Sequence, residues 1–150
     1  MTSELRDLYQ EVIVDHAKHP RNFRKPAGAN RTAEGVNPLC GDKVTLYLEV
    51  EDGVVRDIGF QGSGCAISTA SASMLTEAVK SKSLEEVRAL AGRFHELLTA
   101  PPDADAPELG KLEAFAGVRE FPVRVKCATL VWHSLLAALA DDHQVVSTEE

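Results

Sequence analysis

Cys40, Cys65 and Cys127 are the three thiols of a 150-residue chain, and each falls at an expected junction between elements rather than inside one. An odd number at wide spacing does not suit a disulfide framework. In a reducing compartment such thiols are metal ligands, reactive nucleophiles or small buried side chains. Pro38 and Gly41-Asp42 around Cys40 describe a loop, whereas Cys65 beside Ala66 and Ile67 suits core packing equally well. Asp42 stands two residues after Cys40 across a glycine. Three thiols and one carboxylate are a donor set suited to tetrahedral zinc. No C-x-x-C pair is present, so spacing alone leaves a metal site, a reactive thiol and inert core all open.

Four ionised donors around a dication would leave about two net negative charges. Arg124 and Lys126, just ahead of Cys127, could offset them, as could helix N-terminal amides behind Cys65 and Cys127. Other polar residues read more plainly. His16 and His19, one turn apart, are expected as solvent-exposed residues near a helix end. His133 is out of helical phase with Cys127, and His95 has no partner pattern. Ser68, Thr69, Ser71 and Ser73 are expected as close-packing small residues, since no histidine base stands near them in sequence. Gly62-Ser63-Gly64 lacks a following P-loop lysine and reads as a tight turn. Arg21-Asn22 suits a connector or a partner contact equally.

The elements that must position these groups follow from periodicity. Leu5, Leu8, Tyr9, Val12 and Ile13 make one helical face over 3–19, ended by Pro20. Residues 20–38 read as an extended connector with room for one strand. Lys43 to Glu51 alternates Val44, Leu46, Leu48 and Val50 against polar residues, Asp52-Gly53 turns the chain, and Val54 to Gln61 returns. A helix is expected from Ala66 to Lys80, and another opens at the Ser83/Glu86 capping box. A proline-rich loop from Thr99 to Pro107 precedes a short helix near 108–115. The last helix is expected from about Arg124 to Ala140, with Cys127 in its first turn and a frayed tail after His143. The fold class is therefore α+β, a small antiparallel sheet with helices packed on it.

Composition closes off several function classes. Sixteen Lys+Arg against 23 Asp+Glu give a net charge of −7, with no basic stripe to engage nucleic acid. The 44% hydrophobic content suits a packed core and not a disordered chain. The most apolar stretch, about 130–140, falls short of the roughly 20 residues a bilayer span needs, so no membrane association is expected. Met1-Thr2-Ser3-Glu4 begins no secretory signal, and a cytoplasmic location is expected.

Three segments then carry a resemblance: Asn37-Pro38-Leu39-Cys40-Gly41-Asp42, Gly62-Ser63-Gly64-Cys65-Ala66-Ile67-Ser68 and Arg124-Val125-Lys126-Cys127-Ala128-Thr129-Leu130. Together they closely resemble the motifs of the U-type iron–sulfur assembly proteins. Asp15-His16 with His19-Pro20-Arg21-Asn22 is similar to the end of that family's N-terminal helix. The resemblance runs through nearly the whole chain and implies one domain over 1–150, of SufE/NifU-like architecture with a three-stranded sheet. It implies zinc at Cys40, Asp42, Cys65 and Cys127, with Cys40 as sulfur acceptor and Arg124 and Lys126 in support.

Two branches of that family differ in use. The IscU-type branch is a scaffold on which clusters are built. The SufU-type branch is a zinc protein that takes sulfur from a SufS-type cysteine desulfurase and passes it toward a downstream iron–sulfur scaffold complex. The scaffold branch carries a histidine just before its third cysteine, where this chain has Lys126, which cannot ligate while protonated. Residues 93–113 also resemble the helical insertion of the SufU-type branch. Both features point to the sulfur carrier. The alternative is an IscU-type scaffold holding iron or a [2Fe-2S] cluster on the same residues. For the carrier, the expected chemistry is that a docked partner frees Cys40 from the metal, Asp42 serving as the exchangeable ligand, so that the thiolate attacks the desulfurase persulfide.

Overall fold

The computed structural model describes residues 3–38, 41–100, 109–140 and 145–147. Helix α1 spans Ser3–Lys18 and strands β1, β2 and β3 span Arg31–Asn37, Asp42–Glu51 and Val54–Ser63. Helices α2 (Ala66–Val79) and α3 (Leu84–Thr99), a 3₁₀ helix (Gly110–Glu120), helix α4 (Pro122–Leu139) and strand β4 (Val145–Ser147) follow. The expected antiparallel sheet forms in the order β3-β2-β1, and β4 extends it at β1. The β2–β3 turn at Asp52-Gly53 has positive φ at both residues, which matches the twist of a two-residue hairpin.

Side-chain alternation decides what the sheet presents to the helices. On β2 the inward row runs Asp42, Val44, Leu46, Leu48, and on β1 it runs Ala33, Gly35, Asn37. Each row is apolar along its length and ends in a buried polar residue. Those two ends, Asn37 and Asp42, are register partners. Over this face lie α2 and α4, and the core between them holds Leu46, Leu48, Ile58, Leu75, Leu130 and Leu135. Helix α4 comes so close to β1 that a Cβ at Gly35 would run into Ser134 and Leu130. Phe94 of α3 stacks on Trp132 of α4 with ring centroids 4.5 Å apart, and Phe115 meets Phe94 edge-on.

Several boundaries differ from the sequence expectation, for physical reasons. The α4 helix begins at Pro122, which tolerates N1 because the missing N–H has no intrahelical partner there. Cys127 is therefore in the second turn of α4 and not the first. The tail expected to fray contributes β4, whose backbone pairs in parallel with Glu34–Val36 of β1. The short helix expected near 108–115 is the 3₁₀ helix at Gly110–Glu120, and its expected start at Pro107 lies outside the described residues. The Ser83/Glu86 capping box is present on both sides. Among the described residues no helix is long and apolar enough to cross a membrane.

Candidate metal centre

Three elements deliver donors to one end of the sheet. Asp42 opens β2 on the inward face, Cys65 caps α2 immediately after β3, and Cys127 lies on the buried side of α4. Asp42 is 1% exposed, Cys127 is 3% exposed and Cys65 is half-buried. One donor atom from each lies within 4.8 Å of the other two. Neither of the two cysteines is in a disulfide. Cys40 lies outside the described residues; Asn37 and Asp42, which bracket it in sequence, are the paired ends of β1 and β2.

Local backbone chemistry orients the carboxylate. Asp42 Oδ1 accepts the Cys65 N–H at 2.8 Å, which leaves Oδ2 facing the Cys65 thiol at 3.7 Å. Gly64 makes this approach possible, since a Cβ there would stand 2.5 Å from Asp42 Oδ1. The Cys65 sulfur in turn accepts the N–H of Ser68 at 3.4 Å, as an N-cap side chain does. It thus sits at the positive end of α2. Cys127 has no such help from α4, being a full turn inside that helix. Its sulfur instead accepts an N–H from the Asn37 amide at 3.7 Å.

The donor set fits zinc. Tetrahedral zinc with Zn–S of about 2.3 Å and Zn–O of about 2.1 Å sets neighbouring S and O ligands about 3.6 Å apart. The Cys65–Asp42 separation of 3.7 Å meets that edge length. Two thiolates and a carboxylate are three of the four protein ligands a structural zinc takes, and they leave one position for a further donor.

The supporting cations are placed differently. Arg124 is exposed, its guanidinium spread over the Phe121 ring with 4.6 Å to the centroid. Lys126 is half-buried on α4, and its backbone carbonyl accepts the Thr129 hydroxyl at 3.4 Å.

His16 corrects the expectation of a solvent-exposed residue: it is 2% exposed, because α2 offers it partners. Its Nδ1 lies 2.7 Å from Ser73 Oγ and its Nε2 lies 3.6 Å from Glu77 Oε1. Ser73 Oγ also accepts the Arg21 N–H at 2.8 Å, and Arg21 pairs with Asp15 at 2.6 Å. Burial holds the His16 pKa below the usual histidine range; Arg21 and Lys111 add to this, while Glu77 and Asp15 oppose it. His19 is exposed as expected. Ser71 and Ser73 are buried packing residues with hydrogen-bonding duties, Ser71 linking α2 to the Ala128 carbonyl and the Trp132 indole. His133 is exposed on α4 and lines a groove with His95, away from the three donors.

Sequence reasoning missed Asn37. In sequence it stands out only as part of the Asn37–Asp42 motif; its inward direction follows from the alternation Ala33, Gly35, Asn37 once β1 is in place.

Known proteins match along almost this whole length. Residues 8–128 match the NifU-like N-terminal domain family. The chain is 42% identical over 137 residues to a protein of Streptococcus pyogenes named iron–sulfur cluster assembly scaffold protein IscU, covering 91% of this chain and 86% of that one. It is 39% identical over 140 residues to the zinc-dependent sulfurtransferase SufU of Bacillus subtilis, covering 93% and 95%. A crystal structure from Fervidobacterium islandicum, described as a candidate scaffold protein for the SUF system, superposes with a TM-score of 0.81. It is 33% identical and covers 92% of this chain and 99% of that one.

Proposed function

Because the chain belongs to the NifU-like N-terminal domain family, the U-type iron–sulfur assembly proteins, we propose that it serves iron–sulfur cluster assembly as a zinc-dependent sulfur carrier. In this reading Cys40 accepts sulfur from a cysteine desulfurase of the SufS type, and Asp42, Cys65 and Cys127 hold zinc together with Cys40. The observation that carries it is the convergence of Asp42, Cys65 and Cys127 donor atoms within 4.8 Å. Lys126 and the 39% identity to a zinc-dependent sulfurtransferase support the choice of branch. Residues 93–113 would be the insertion of that branch; 93–99 lie in α3, 101–108 lie outside the described residues and 110–113 begin the 3₁₀ helix.

Bound zinc would supply Lewis acidity that keeps its thiol ligands deprotonated near neutral pH. The chain's own residues do the rest. The Cys40 thiolate attacks the terminal sulfur of the desulfurase persulfide, forming a new S–S bond. The old S–S bond breaks and its electron pair leaves on the desulfurase cysteine, so the exchange needs no oxidant or reductant. Asp42, held by the Cys65 N–H, keeps one carboxylate oxygen toward the thiols throughout. Arg124 and Lys126 contribute positive charge to the N-terminal part of α4, which favours the anionic sulfur species. The sulfur then passes toward a downstream scaffold complex by a second exchange of the same kind. A cytoplasmic setting, which keeps thiols reduced, suits this chemistry.

The test is sulfur uptake by mass. Incubated with the desulfurase and cysteine, the protein should gain about 32 Da per sulfur atom, and Cys40→Ala should gain none. Uptake by Cys40→Ala at the wild-type rate would overturn the carrier mechanism. The scaffold alternative is favoured by one observation, the 42% identity to a protein named a scaffold. Anaerobic reconstitution with iron and sulfide separates the two, since a stable cluster held by these residues would favour the scaffold.

A further inference from the structure

We propose that Asn37 is a positioning residue of the metal centre, which orients and electronically tunes the Cys127 sulfur through an N–H···S hydrogen bond. The inference rests on the reading of Asp42, Cys65 and Cys127 as metal ligands and extends it to the residue that supports them.

Four observations place Asn37 in this role. Its side chain is fully buried, at 0% exposure, in a row otherwise made of Ala33 and Gly35. Its Nδ2 donates to Cys127 Sγ at 3.7 Å, within the longer range that sulfur acceptors allow. Its register partner across the sheet is Asp42, so one pair of strand ends supplies both a donor and a supporting residue. Its Oδ1 is a buried polar atom without a hydrogen-bond partner among the described residues. Buried amides with half their capacity unused are uncommon, and a core chosen for packing alone would replace this one with an apolar side chain. What an aliphatic residue cannot supply is the donor. An N–H to a ligating thiolate withdraws charge from sulfur and fixes the direction of its lone pairs, which is how outer-shell groups set metal affinity. The Asn37 N–H serves the Cys127 sulfur on α4 as the Ser68 N–H serves the Cys65 sulfur at the start of α2.

The experiment uses the full chain loaded with zinc and, separately, with cobalt as a spectroscopic probe. On zinc titration of the wild type, the Asn37 side-chain amide proton should move downfield in a ¹⁵N–¹H spectrum. The variants Asn37→Ala, which removes the donor, and Asn37→Asp, which keeps its shape, should lose about 10- to 100-fold in zinc affinity by chelator competition. Both should shift the sulfur-to-cobalt charge-transfer band. Circular dichroism of the zinc-free proteins reports whether each variant folds, and the wild-type amide shift needs no variant. An immobile amide resonance, or wild-type affinity with an unmoved cobalt band in a folded variant, would overturn the role of Asn37 while leaving the metal centre intact. Failure of the wild type to bind either ion would overturn the metal centre and this inference with it.

Discussion

Among the described residues, two polar clusters reach into the interior, one around buried His16 and Ser73 and one around buried Asn37, Asp42 and Cys127, and they are built on opposite accounts of hydrogen bonding. At the α1–α2 seam, His16, Ser73, Arg21, Glu77 and Asp15 meet one another's demands: ring nitrogen to hydroxyl, hydroxyl to backbone amide, guanidinium to carboxylate. At the sheet end, Asn37, Asp42, Cys65 and Cys127 meet only part of theirs. Two thiols and a carboxylate crowd within 4.8 Å, and the Asn37 side-chain oxygen has no hydrogen-bond partner among the described residues. A satisfied buried network rigidifies a fold, whereas a crowded one of like-signed donors is tolerated where a cation completes it. The seam therefore belongs to packing and the sheet end to chemistry.

The comparison breaks first at Asp42. Asp42→Ala removes an oxygen donor and orphans the Cys65 amide, so zinc affinity should fall more than about 100-fold by chelator competition. If the affinity held, the sheet end would be one more structural cluster. Metal removal should itself register in stability. Zinc at 100 times its dissociation constant stabilises by about 2.7 kcal/mol, and its chelation should lower the melting temperature by roughly 5–10 °C for a chain of this size. Gly64→Ala is the subtler probe, because its Cβ would stand 2.5 Å from Asp42 Oδ1 and push the carboxylate aside without deleting it. About a 10-fold loss of zinc affinity is expected, less than for Asp42→Ala.

The seam should answer in the opposite currency. Ser73→Ala leaves the His16 ring nitrogen and the Arg21 amide without a partner in a buried place. The cost should be about 1–3 kcal/mol in denaturant unfolding of the zinc-free protein. Zinc affinity should not change. A variant that lost both stability and metal would show that the two clusters are coupled through α2, which carries Ser73 and is capped by Cys65.

How much of this was written in the chain differs between the clusters too. Strands β2 and β3, the hairpin at Asp52-Gly53 and the helix opened by Ser83 are local events, set by alternation, turn residues and caps, and they form where periodicity placed them. The gathering of Asp42, Cys65 and Cys127 was legible only through motifs, because spacing of 23 and 62 residues carries no geometric information until the sheet is assembled. The burial of His16 was not legible. Its partners lie 57 and 61 residues away, on a helix whose serines look like mere small residues in sequence. Strand β4 was hidden for a related reason: pairing at the β1 edge is a property of the sheet and not of Val145–Ser147. Asn37 fell between these cases. Its inward direction follows from alternation, but strand β1 had to be seen before the alternation could be read.

The smallest expected effect is a pH dependence that belongs to the seam. Burial lowers the His16 pKa in the folded protein, with Arg21 and Lys111 acting in the same direction and Glu77 and Asp15 against it. Between that lowered value and the ordinary histidine value of about 6.5, the unfolded chain binds a proton that the folded one refuses. Stability therefore rises with pH through this window, and it falls as acid is added below about pH 6.5 until the folded protein also titrates. His133 is exposed, but partial desolvation against the groove it shares with His95, and then His95 itself, lower its pKa with the same sign, so wild-type data alone do not identify the group. Melting temperatures of zinc-free wild type and His16→Gln, taken from pH 7.5 to 5.5, isolate it. The wild type should lose more on acidification than the variant. Parallel curves would mean that the seam does not discriminate between the neutral and charged ring, and that its geometry, with a hydroxyl on one nitrogen and Glu77 near the other, accommodates a charge after all.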